Sequence, residues 1–150
     1  MSGGAGVTAV LSMLEYLVEN STRDVVFLRG VRSNKRHPFA EHVRELASRR
    51  PGIRSVVLYE QVSPEDVQGV HYDAVGRTTA EAIQPYVPRD AEFYYCGPSG
   101  FMASAEIALD ALHVPSERRH SEAFAPDPTF AAGSAKPTPA TIAPARIDAG

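Results

Sequence analysis

The chain has 150 residues, room for one domain with a substantial core and too little for two of ordinary size. Fifteen Lys and Arg against eighteen Asp and Glu leave a formal charge of −3, so no overall positive field exists to hold nucleic acid or anionic lipid. Hydrophobic residues at 43% and charged residues at 22% are ordinary for a globular protein and disfavour a fully disordered chain.

From Val7 to Glu19, apolar Val7, Val10, Leu11, Leu14, Leu17 and Val18 recur at three- and four-residue steps, which predicts a helix with one buried stripe. Val25 to Leu28 is a continuous strand-like run, followed by a polar loop from Arg29 to His37. Phe39 to Arg49 places Phe39, Val43, Leu46 and Ala47 on one helical face, and Pro51-Gly52 stops it. Ser55 to Gln61 reads as a strand, Thr78 to Tyr86 as a short helix with Thr78 or Thr79 as its cap, and Glu92 to Cys96 as a third strand. Ser99 to Leu112 is a further amphipathic helix, and His120 to Phe124 a short fourth strand. This alternation is the pattern of an α/β doubly wound parallel sheet of Rossmann type. The expected domain is 1–125. From Pro126 to Gly150 the chain holds five Pro and seven Ala with few large apolar residues, the composition of a disordered tail or linker.

A doubly wound sheet normally begins with a strand that feeds a glycine loop. Here the chain opens inside the turn, at Ser2-Gly3-Gly4-Ala5-Gly6, so the first and central strand is expected to be missing and the domain to be truncated at its N-terminus. Two strand edges would then lie unpaired in an apolar layer.

Gly4-Ala5-Gly6-Val7-Thr8-Ala9 matches G-x-G-x-x-G/A at a loop entering a helix, where small residues let backbone amides approach a pyrophosphate. The second strand ends without the acidic residue that accepts a ribose 2′-hydroxyl. Arg29, Arg32, Lys35 and Arg36 follow with no carboxylate before Glu41, which suits a 2′-phosphate; a solvated basic loop is the other reading. Cys96-Gly97-Pro98-Ser99-Gly100-Phe101-Met102 crosses from a strand end into a helix, where open α/β sheets place ligands. Cys96 has no base near it in sequence, so a buried core thiol stands beside the nucleophile reading. Ser99 fails the nucleophile-elbow pattern because Phe101 stands where glycine is required, so a hydrolase is set aside. His37 and His42 are five residues apart, off one helical face, and His71, His113 and His120 are scattered, so no metal site is expected. A lone cysteine and the lack of any long apolar run or basic leader fit a cytoplasmic protein without a membrane span.

Taken together, Gly3-Gly4-Ala5-Gly6-Val7-Thr8-Ala9, Arg29-Gly30-Val31-Arg32, Gly76-Arg77, Cys96-Gly97-Pro98-Ser99-Gly100-Phe101-Met102 and Glu122-Ala123-Phe124-Ala125-Pro126 resemble the NAD(P)-binding domain of the ferredoxin–NADP reductase superfamily. The look is that of the reductase half of flavohaemoglobins and of ferredoxin or flavodoxin reductases. Ala9 departs from the usual proline and Ala125 from the usual glycine. The resemblance implies that Gly4, Gly6, Val7 and Thr8 meet the pyrophosphate and nicotinamide ribose of NAD(P)H. It sets Arg32 and the residues after it, Arg36 among them, at the adenosine end and Cys96, Gly97 and Pro98 around the nicotinamide, with Arg29, Gly100, Phe101 and Met102 also expected to bind the cofactor. Cys96, Glu122 and Phe124 become the candidate catalytic residues, the last two in a segment near a flavin ring. The implied activity is electron transfer from NAD(P)H through FAD, NADPH on the basic loop and NADH on the flavohaemoglobin-like look. The FAD-binding barrel domain would lie outside this sequence, and the redox partner would be ferredoxin, flavodoxin, an iron–sulfur domain or haem. The alternative is a non-catalytic truncated fragment with weak or no nucleotide binding.

Overall fold

A computed structural model describes residues 1–123. Phe124, expected near the flavin, and the tail expected over 126–150 therefore lie outside the described residues. Six strands form one parallel sheet: β1 (Ser2–Gly3), β2 (Val25–Val31), β3 (Ile53–Tyr59), β4 (Ala74–Val75), β5 (Phe93–Gly97) and β6 (Arg119–Ala123). Their order is β4-β3-β2-β1-β5-β6, so the chain reverses its direction of growth at β1. Helices α1 (Val7–Asn20), α2 (Ala40–Ser48), α3 (Ala80–Ile83) and α4 (Ser99–Ala111) make the crossovers.

The sheet is covered on both faces, as parallel sheets require. On one face Val7, Val10, Leu11, Leu14 and Val18 of α1 and Val43 and Leu46 of α2 pack with Phe27, Ile53 and Cys96. On the other, Ile83 of α3 and Ala105, Ala108 and Leu109 of α4 pack with Leu28, Val56, Leu58, Phe93 and Tyr95. Strand alternation sorts the two sets, since Phe27 and Leu28 are neighbours in sequence and lie in opposite layers. No helix among the described residues is long and apolar enough to cross a membrane.

The structure corrects three expectations. The central strand is present: Ser2 pairs with Arg29 and with Cys96, and Gly3 with Gly30, so two residues bridge β2 and β5. Hydrophobic patterning misses such a strand because the backbone, not the side chains, carries it. Arg29 to Val31 belong to β2 rather than to a loop, in register with Val57 to Tyr59 of β3. Phe39 is not part of the buried face of α2. It caps that helix in the left-handed region, φ 61 and ψ 18, and its side chain is 45% exposed.

Leu109 is fully buried between α4 and the sheet. Leu109→Ala is expected to lower stability by roughly 2–5 kcal/mol, read from urea unfolding.

Candidate functional site

Three glycines stand side by side at the C-terminal ends of adjacent strands. Gly3 of β1 pairs with Gly30 of β2, and Gly97 follows Cys96, the β5 partner of Ser2. The Phe101 ring, from the first turn of α4, lies over this row. A β-carbon on Gly3 would stand 2.5 Å from Phe101 Cδ2, and one on Gly97 2.5 Å from Phe101 Cδ1. One on Gly30 would stand 3.0 Å from Thr78 Oγ1 and 3.7 Å from Phe101 Cε2. Gly6 does the same for α1, because a β-carbon there would run into the Cys96 carbonyl. The glycine loop itself is a 3-10 turn, Gly4–Gly6, with Gly4 at φ +51, a conformation side chains rarely adopt.

These close approaches bring the N-termini of α1 and α4 to one cleft, and neither helix has an acidic residue in its first turn. Their free N–H groups and positive dipole ends are available to an anion. The cleft has a volume of about 1020 Å³ and is floored by Ser2, Gly3, Gly30 and Phe101. Its rim carries Arg32, Arg36 and Arg77, with Glu60 the one lining carboxylate among the described residues. Arg32 and Arg36 are exposed, while Arg77 Nε lies 3.6 Å from Glu60 Oε1.

Of the residues expected to meet the nucleotide, Gly4, Val7, Thr8, Arg29, Arg32, Arg36, Pro98, Gly100 and Phe101 line this cleft. Gly6, Gly97 and Met102 lie behind it, the two glycines as clearance for helix packing and Met102 against the α3–α4 core. Cys96 is buried in the layer under α1, and burial, then Glu122, pushes its thiol above the usual range. Its thiol is therefore held protonated at neutral pH. Glu122 is exposed on β6 in register with Cys96.

Arg29 behaves unlike its neighbours. It is 2% exposed; its Nη2 donates to the Pro38 carbonyl at 2.6 Å, and its Nη1 has no partner among the described residues. Burial lowers its pKa to about 10, so it stays charged. Beside it His37 Nδ1 lies 2.9 Å from the Tyr59 hydroxyl. Burial, then the charges of Arg29 and Arg44, lower His37 to about 4, so the ring is neutral. Sequence reading missed Phe39, Glu60, Gln61, Arg77 and Thr78 as cleft residues. The sheet order brings Glu60, Gln61, Arg77 and Thr78 beside β2, whereas Phe39 reaches the cleft as the left-handed cap of α2.

Residues 1–106 match the family model of the oxidoreductase NAD-binding domain. The flavohemoprotein of Deinococcus radiodurans is 40% identical over 133 residues, covering 87% of this chain and 33% of that protein. Among solved structures, the flavohem-like FAD/NAD-binding domain of the Vibrio cholerae nitric oxide dioxygenase superposes with a TM-score of 0.67 at 31% identity. It covers 83% of this chain and 49% of that one. The Malassezia yamatoensis flavohemoglobin, with bound FAD and heme, gives 0.67 at 25% identity, covering 83% of this chain and 30% of that one. The chain belongs to the oxidoreductase NAD-binding domain family, within the ferredoxin reductase superfamily. It spans about a third of the length of the flavohemoproteins it matches.

Gly6→Ala is expected to cost about 2–3 kcal/mol or more, because the colliding atom is backbone. Gly100→Ala, which meets open space in α4, is expected to be neutral or slightly stabilising. Denaturant midpoints of the two variants check the pair. The depressed His37 value also sets a pH dependence. A histidine that titrates lower folded than unfolded contributes stability above about 6.5 and loses it as pH falls toward about 4. Unfolding free energies measured across that window are expected to fall less steeply in His37→Asn than in the native chain.

Proposed function

We propose that this chain is the pyridine-nucleotide-binding portion of an NAD(P)H-dependent flavin oxidoreductase. The observation that carries the reading is the cleft at the reversal point of the sheet, where two helix N-termini converge over a floor without β-carbons. At about 1020 Å³ it is at the upper end of small-molecule sites, as a dinucleotide demands. Membership of the NAD-binding family supports the same ligand.

Gly4 to Thr8 receive the pyrophosphate, with backbone N–H groups approaching where side chains would obstruct. Arg32 and Arg36 attract the phosphates of the adenosine half. Pro98, Gly100 and Phe101 border the nicotinamide half, with Gly97 and Met102 behind them. Cys96 and Glu122 are in register on β5 and β6, the thiol buried and neutral behind the cleft rather than on its wall. The bound nucleotide supplies a hydride, and the protein supplies position and exclusion of water. Among the described residues there is no β-barrel, so the reading assigns FAD to a separate barrel domain. Electrons then pass to a haem, iron–sulfur, ferredoxin or flavodoxin partner. The heme and FAD bound by the Malassezia relative favour the haem member of that set. A cytoplasmic location belongs to the same reading, supported by the single buried free cysteine.

The alternative of a fragment with weak or no nucleotide binding rests on a missing central strand and a missing flavin domain. Ser2–Gly3 in register between β2 and β5 removes the first of these grounds. Calorimetric titration is expected to show saturable binding of NADH or NADPH to the 150-residue chain. Arg36→Glu is expected to weaken it at least fivefold, with the loss shrinking as salt is added. Binding indifferent to Arg36→Glu would remove the basic loop from the site.

A further inference from the structure

One aromatic side chain in the cleft is unexplained by packing. Phe39 is 45% exposed, lines the cleft on the same rim as Arg32 and Arg36, and sits in the left-handed region at φ 61. A bulky residue there is strained, and glycine or asparagine would relieve it. The strain is held from both sides. On one side the buried Arg29 donates to the carbonyl of Pro38, whose ring fixes its own φ. On the other, the Val43 N–H donates to the Phe39 carbonyl at 3.0 Å, the first bond of α2. Backbone strain maintained by its surroundings, with an apolar ring turned to water as the result, is characteristic of ligand sites.

The chemistry of the neighbourhood says which ligand. If the cleft takes a dinucleotide as read above, the pyrophosphate lies at Gly4–Thr8 and the adenosine extends over the end of β2. Pro38 and Phe39 line the cleft together with Arg32 and Arg36. A purine is a flat π surface that stacks on an exposed ring with little demand on hydrogen bonding. We propose that Phe39 is the stacking platform for the adenine of the nucleotide, and that Arg29 is a positioning residue that holds Pro38, and through it the ring, at the cleft.

The test rests on the nucleotide reading and separates its own failure from that one. NADH, NADPH, 5′-AMP and nicotinamide mononucleotide are titrated into the 150-residue chain and into Phe39→Gly, Phe39→Leu and Phe39→Tyr, with melting temperatures recorded. Phe39→Gly is expected to melt at or above the native temperature, because glycine accepts φ 61. It is expected to bind NADH, NADPH and 5′-AMP at least fivefold more weakly, while nicotinamide mononucleotide is unchanged. Phe39→Leu, which keeps the strained backbone but has no ring, shows the same fivefold loss, and Phe39→Tyr binds within threefold of native. A loss below fivefold in both Phe39→Gly and Phe39→Leu overturns the proposal, as does an equal loss with nicotinamide mononucleotide. If the native chain binds neither dinucleotide, the nucleotide reading falls first and takes the platform with it.

Discussion

The architecture depends on an absence of side chains. Toward the ends of β2, β1 and β5, Gly30, Gly3 and Gly97 leave the sheet bare; Thr78 closes on Gly30, and the Phe101 ring occupies the space that β-carbons on Gly3 and Gly97 would fill. That contact draws the start of α4 down onto the sheet, and Gly6 against the Cys96 carbonyl does the same for α1. Protein interiors transmit such volume changes rather than absorb them, so one methyl group at these positions would move a helix terminus. The positive ends of two helices therefore converge because Gly3, Gly97 and Gly6 carry no side chain. The shortness of β1 fits this constraint: its two residues are a glycine and a 2% exposed serine, placed by backbone pairing on both sides.

Around that floor the basic residues divide their work by burial. Arg32 and Arg36 stand in solvent, where their charge is screened yet reaches an incoming anion. Arg29, three residues before Arg32, has its guanidinium inside, on the Pro38 carbonyl, at a desolvation cost visible in its lowered pKa. The neutral His37 beside it is part of the same arrangement, since a second buried cation there would be repelled by Arg29 and Arg44. The loop after β2 is thus held from beneath by one buried cation so that others can be presented above.

Much of this was legible in the sequence, and the rest was not for identifiable reasons. Four strands and four helices declare themselves through apolar runs long enough to show a period, from Val25–Leu28 to Ser99–Leu112. β1 and β4, two residues each, have no period to read. Arg29 looked like the first residue of a loop because arginine is rarely buried; the pairing of β2 with β3 through Val31 overrides that preference. Phe39 fitted a helical apolar stripe by spacing, and only the φ imposed at the cap turns its ring out. The glycine motifs were legible as positions. Their physical partner, the Phe101 ring, was legible as a motif letter but not as the object for which Gly3 and Gly97 make room.

The cleft's charge is the clearest case of information that sequence order withholds. Read along β2 alone, the rim is purely basic. In the sheet, the Glu60 N–H donates to the Val31 carbonyl at 3.0 Å and the Gln61 N–H to the Arg32 carbonyl at 2.9 Å. The end of β3 thereby sets a carboxylate beside the basic loop, and the segment after β4 brings Arg77 to meet it. A ribose diol can donate to a carboxylate, whereas a 2′-phosphate is repelled by it, so on the proposed reading the two neighbouring strand ends would act in opposite senses on the adenosine half of a nucleotide. The charge balance of this rim is consequently a property of the β2–β3 pair. The register that aligns Val31 with Tyr59 is as much a part of it as the identity of any one arginine.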